Sequence, residues 1–241
     1  MKDTCKILVL SDLNKSTSKT LKSSVGLAKI IAADINFFYV KKPTEVIEKE
    51  SQLSAIRIIN KEYFSIDKKV KDLISPISDH YNVNINYSFT IGNIKNQIER
   101  YLDENKPDII VLGKRKTKIV NFIGDYITPF ILKKHKRTFV IADDKNGLEP
   151  NKQLSLGLFN HTKAHGKLIE NIINSTKQHL TPFKITENAS NLKKPSSLEK
   201  KKTVEYLFEK GDNVIKNISN YLSQCNVNLL FVHREKTTQV Q

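Results

Sequence analysis

Short apolar runs and amphipathic stretches take turns along the first 142 residues. The first run, Lys6-Ile7-Leu8-Val9-Leu10, ends in polar Ser11-Asp12-Leu13-Asn14, the pattern of a strand buried on both faces and closed by turn residues. Leu21, Val25, Ala28 and Ile31 then recur at three- and four-residue spacing, which predicts a helix capped by Ser16 or Ser18. A second run, 35–40, stops before Pro43. Next comes an amphipathic stretch over 46–81, with Ile56, Ile59, Phe64, Val70 and Ile74 on its expected core side; Pro76 is expected to bend or interrupt it. Residues 84–90 alternate polar and apolar, as a strand nearer a sheet edge does. Gly92 opens a helix carrying Ile94, Ile98 and Leu102, and Pro107 precedes the strongest run, 108–112, which leads into Gly113. A basic loop, 114–118, an amphipathic helix over 124–135 and a fifth run at 138–142 complete the series. Strands and helices in strict alternation predict an α/β fold, an open parallel sheet with helices on both faces.

Residues 143–152 read as a polar linker containing Gly147 and Pro150, after which the pattern restarts. The run 154–159 mirrors the first strand, and Asn160 falls where Asp12 fell. A helix carrying Leu168, Ile172 and Ile173 leads to a strand containing Pro182. The clearest internal match joins 83–102 to 203–222: each reads strand, glycine (Gly92, Gly211), then a helix ending in Tyr-Leu. A buried strand is expected after each, at 109–112 and at 227–232. Such repetition marks repeated folding units. Asp12 and Asn160 lie 148 apart but Gly92 and Gly211 only 119, so the second copy is 29 residues shorter between those points. A Lys/Ser-rich stretch, 192–202, replaces its long middle helix, and nine residues follow Val232, so no last helix and fifth strand are expected there. The expected domains are 1–144 and a shortened, incomplete 152–241.

Charge changes this picture little. The net charge is +15, with 26 basic and 17 acidic residues in 1–146 and 14 and 8 in the remainder. The excess is spread over both halves, and only 5 of the 40 basic residues are arginine, the side chain that reads base edges best. Specific nucleic-acid binding is therefore not expected. The run 7–10 is too short for a signal peptide and no stretch reaches membrane-spanning length, so a cytoplasmic protein without membrane attachment is expected. Cys5 and Cys225 stand far apart and read as thiols.

Chemistry-bearing patterns are few. His161 and His165 are four apart, a spacing that metal ligands on one helix face use, but no cysteine or carboxylate accompanies them. His80, His135, His179 and His233 are isolated. After the fourth run the chain reads Gly113-Lys114-Arg115-Lys116, then Thr117-Lys118 and an apolar stretch up to Gly124-Asp125.

The element order and these glycines resemble the universal stress protein family. Its members are Rossmann-like domains of the HUP type, with strand order 3-2-1-4-5, and many bind ATP between the first and fourth strands. That crevice is a topological switch point. The family signature there is G-x2-G-x9-G-[S/T], which brings backbone amides and a helix N-terminus to phosphate. By this resemblance Gly113 and Gly124 are the first and third glycines, Lys116 stands at the second, and Asp125 stands at the hydroxyl position. Asp12 matches an acidic residue near the nucleoside, and Val40 the residue that supports adenine. ATP is the cofactor the resemblance implies. The purely structural alternative is that Gly113 ends a strand and Gly124 starts a helix. The replacements at 116 and 125 put a side chain and a carboxylate where phosphate would sit.

Two Rossmann-like domains in tandem, without a catalytic constellation, lead to an expected function. The chain is expected to be a non-enzymatic, universal-stress-protein-like module with a degenerate nucleotide site, acting through dimerisation or another protein partner. The alternative is an ATP- or AMP-binding universal stress protein using the first crevice. Members of the family pair through their fifth strands, which implies a homodimer through 138–142.

Overall fold

The computed structural model describes residues 4–43, 52–114, 127–136, 138–143, 147–159, 167–175, 181–186 and 206–232. The chain divides into two compact units, Met1–Pro150 and Asn151–Gln241. In the first, β1 (Lys6–Ser11), β2 (Asp34–Lys41), β3 (Ile85–Ile91), β4 (Ile109–Gly113) and β5 (Thr138–Ala142) form one sheet in the order β3-β2-β1-β4-β5. Every pairing is parallel, with Ile7 opposite Ile35 and Ile109. This is the expected order, and β3 lies at an edge.

Because successive side chains point to opposite faces, each strand feeds two cores. Ile7, Val9, Ile35 and Phe37, all essentially inaccessible, serve the face packed by α1 (Thr17–Ile31) and α2 (Gln52–Tyr81). Leu8, Leu10, Phe38, Val40, Ile110 and Leu112 form the second core with Ile98 of α3 (Ile94–Asn105) and with Ile127 and Ile131 of α4 (Ile127–Lys134). Each such buried side chain contributes about 1.5–3 kcal/mol.

Three local expectations are corrected. Ser16 occupies the N-cap of α1, but its side chain makes no cap bond; the Asn14 carboxamide oxygen instead accepts from the Ser16 N–H at 2.8 Å. For α3 the cap is Asn93, whose side chain accepts from the Asn96 N–H at 3.2 Å, one residue beyond Gly92. Finally, α2 continues through Pro76, and of its expected core residues Val70 and Ile74 are buried while Ile56 and Phe64 are exposed. Its 30 residues span about 45 Å, well beyond the roughly 26 Å of the eight-residue β2, so its first turns overhang the sheet.

The expected linker is partly packed. Leu148 is buried against Gly26 of α1, and its N–H donates to the Ser23 hydroxyl at 3.1 Å.

The second unit holds β6 (Leu156–Phe159), α5 (Lys167–Ser175), β7 (Thr181–Thr186), β8 (Tyr206–Glu209), α6 (Val214–Gln224) and β9 (Leu229–Val232). Its parallel sheet runs β8-β7-β6-β9, the order of the first sheet without a fifth strand among the described residues. The repeat extends to its clamps. Asp108 accepts from the Lys6 N–H and returns its own N–H to the Lys6 carbonyl; Asn228 does the same with Ser155. Phe38 stacks on Tyr101 at 4.2 Å, and Phe183 meets Tyr221 edge-on at 5.9 Å. Among the described residues no helix is long and apolar enough to cross a membrane.

Candidate functional site

The strand order reverses direction between β1 and β4, and their C-terminal ends open a crevice there. Leu10, Ser11, Asp12, Asn14, Leu112 and Gly113 line it from the strand ends, and Ser16, Thr17 and Thr20 from α1. Asp12 and Gly113 are thus brought together as expected. Val40 is elsewhere: it lies on β2, opposite Thr90, inside the core shared with Leu10 and Leu112. Lys116, Gly124 and Asp125 lie outside the described residues, as do His161 and His165.

Self-contained hydrogen bonding dominates the loop after β1. The Ser11 hydroxyl accepts from the Leu13 N–H at 3.0 Å and shares a 2.9 Å bond with the Thr17 hydroxyl. Asp12 accepts from the Asn14 N–H at 3.3 Å, and Asn14 accepts from both the N–H and the hydroxyl of Ser16. The Thr17 N–H goes to the Asn14 carbonyl, and the Lys19 and Thr20 N–H groups to that of Ser16. A phosphate at a helix N-terminus needs such amides free. Leu13 completes the turn in the left-handed region, at φ 55°, which costs a side-chain-bearing residue about 1–2 kcal/mol.

Gly113 has a packing reason to lack a side chain. A Cβ there would lie 2.6 Å from Thr20 Oγ1 and 3.6 Å from Ser16 Oγ, so the absence of a side chain lets α1 close onto β4. What remains is a cavity of about 10 Å³, roughly the space of one water, whereas small-molecule sites take about 300–1,000 Å³. The described walls therefore do not fit ATP without movement of the first turn of α1.

Charge around the crevice is also engaged. Lys114 Nζ lies 3.5 Å from Asp143 Oδ1, and the Lys114 N–H donates to the Ala142 carbonyl at 2.8 Å. On the α1/α2 face, burial pushes the Tyr39 phenol above its ordinary value, and the Glu62 and Asp12 carboxylates push it further. Ser16, Thr17 and Thr20 were missed as wall residues. Their signal was present: one turn of helix spacing directly after the first strand aligns them on one side.

No protein-family model and no curated protein sequence matches the chain. Among solved structures, a universal stress protein from Archaeoglobus fulgidus DSM 4304 aligns over 95% of this chain and 86% of its own, with 14% identity and a TM-score of 0.63. The universal stress protein UspA from Lactobacillus plantarum aligns over 57% of this chain and 96% of its own, with 17% identity and a TM-score of 0.46. The first alignment runs across both units, and on it the chain has the fold of a universal stress protein.

Proposed function

We propose that this chain is a non-enzymatic stress-response module that works through protein contacts, with a nucleotide crevice closed by its own side chains. The observation that carries this reading is the closure itself: Thr20 seated against Gly113 and a residual space of about 10 Å³. The stress-response part rests on the fold alone, which is an argument by analogy. The contact part rests on β5, which pairs only with β4 among the described residues and leaves Ile141 56% exposed. An open strand edge with apolar side chains invites pairing with another chain, and a second copy of β5 is the proposed partner.

A second reading, binding of an adenine nucleotide at the same crevice, is favoured by its place at the switch point and by the pairing of Asp12 with Gly113 across it. It requires the first turn of α1 to swing away from β4.

The test is to denature freshly purified protein, analyse released small molecules by mass spectrometry, and measure thermal shift with millimolar Mg-ATP. Light scattering after size-exclusion chromatography, with and without Ile141→Lys, runs beside it. The proposed reading expects no nucleotide, no shift, and a dimer that Ile141→Lys splits. A co-purifying nucleotide absent from Gly113→Val would favour the second reading, and a monomeric wild type would overturn β5 pairing.

A further inference from the structure

One glycine of α1 is buried on the side of the helix that faces away from the sheet. At about 100° per residue, Gly26 stands about 180° round from Thr17 and about 140° round from Leu21. Those two mark the sheet side: Leu21 is fully buried, and the Thr17 hydroxyl shares a bond with Ser11 of β1. Lys19 and Lys29, the neighbours of Gly26 around the helix, are exposed. Glycine weakens a helix interior, so its place here needs a cause outside the helix. A Cβ on Gly26 would lie 3.0 Å from Leu148 Cγ and 3.3 Å from the Leu148 carbonyl oxygen.

Leu148 is held there by more than contact. It is buried, and its N–H donates to the Ser23 hydroxyl in a buried bond of 3.1 Å. Gly147 permits the approach, since a Cβ there would lie 2.8 Å from the same hydroxyl and 3.3 Å from the Asp143 carbonyl oxygen. Asp143 follows β5, whose Ala142 pairs with Gly113, and its carboxylate lies 3.5 Å from Lys114 Nζ. The segment that covers α1 is therefore rooted beside the crevice floor. Thr20 rests on Gly113 on the sheet side of α1, while Ser23 and Gly26 lie under Leu148 on the outer side. A rod held at Ser23 and Gly26 lifts Thr20 only by displacing Leu148 or by driving Val25 and Ala28 into a close-packed core.

We propose that residues 147–148 are a strap that keeps the crevice between β1 and β4 shut, and that the crevice opens only when the strap leaves α1. The inference rests on the closed-crevice reading and adds what holds it closed. Pro150 ends the first unit and Asn151 begins the second, so the strap runs straight into the junction between them. Crevice occupation and strap release are then reciprocal. A ligand that enters frees the junction, and a partner that draws the junction away opens the crevice.

Hydrogen exchange on the full chain, read by mass spectrometry over 14–21 and 143–150, tests this. The N–H groups of Thr17, Lys19, Thr20 and Leu148 are all bonded while the strap is on. Leu148→Ala is expected to speed exchange over 14–21 by about tenfold or more. Ile98→Ala, which empties space in the core on the other face of the sheet, is expected to leave it unchanged. Ser23→Ala removes only the acceptor of the Leu148 N–H and should act in the same direction as Leu148→Ala, so it carries the test if that variant does not fold. Exchange over 14–21 that rises equally in Ile98→Ala, or in neither strap variant, overturns the strap. Thermal shift with Mg-ATP separates the strap from the reading beneath it. A wild type that binds Mg-ATP and exposes the Leu148 amide overturns the closed crevice and bears out the strap. One that binds Mg-ATP with that amide still protected overturns both. One that binds none, with exchange indifferent to the strap variants, leaves the crevice closed and removes only the strap.

Discussion

Two strands of nearly the same composition, β4 (Ile-Ile-Val-Leu-Gly) and β9 (Leu-Leu-Phe-Val), sit at equivalent places in the two sheets and meet opposite fates. The four apolar residues of β4 are buried because β5 pairs along its outer edge and α4 covers one face. β9 has the same inner neighbour and the same clamp, Asn228 in place of Asp108, yet its residues alternate between half-buried and exposed. An apolar run therefore records the environment a strand is suited to. The environment it has depends on which neighbours are present.

The comparison is most directly broken at the helix that makes the difference. Ile131→Ala, from a site with no exposure, is expected to destabilise the first unit by about 2–5 kcal/mol, whereas Ile215→Ala should change the second by less than about 0.5 kcal/mol. Urea unfolding followed by tyrosine fluorescence and far-UV circular dichroism measures both; equal effects would mean that Ile215 is covered as Ile131 is.

Next in size is the seam between β4 and α1. Gly113→Ala is expected to cost about 1–3 kcal/mol by overpacking against Thr20. Thr20→Ala in the same chain should recover most of it, since Thr20 Cβ lies 3.8 Å away. A double-mutant cycle showing no coupling would mean that the glycine serves something other than packing.

Smaller still is the loop beside it. Leu13→Gly relieves the left-handed backbone at φ 55° and is expected to stabilise by up to about 1 kcal/mol, seen as a raised Tm.

The smallest effect concerns α2. Lys71 and then the Tyr87 hydroxyl, both bonded to Asp67, hold its carboxyl below the ordinary aspartate value. A carboxyl with a lowered folded-state pKa stabilises above its unfolded value and loses that contribution as pH falls through the folded one. Asp67→Asn should therefore lower Tm slightly at pH 7, and the gap should close below about pH 4. A gap that persists in acid would assign the effect to shape instead of charge.

Much of the fold was legible because buried parallel strands are short, apolar and punctuated. β5 was read to the residue, and Tyr101-Leu102 with Tyr221-Leu222 aligned the two copies. Misreadings came where the sequence signal is local and the cause is not. Ile56 fits the stripe of α2, but nothing in its spacing tells that the helix outruns its sheet; Phe64 stands about 120° round the helix from Val70, so its exposure could be read from the spacing. Val40 is set beside adenine by the family resemblance alone; the core it joins is closed by α3 and α4, which its own position in the sequence does not reveal. Gly113 lines the crevice with Thr20; the one-turn spacing of Thr20 from Ser16 was legible, but not that it seats against β4.

One contact bears on how the chain carries force. Tension drawn through residue 150 toward the first unit first meets Leu148, held against Gly26 and hydrogen-bonded to Ser23 at the middle of α1. Leu148 stands between residue 150 and β5 along the chain, so such a load reaches α1 before it reaches the pairing of β5 with β4. The first unit thus enters any mechanical tug-of-war by its most deeply rooted helix instead of its outermost strand.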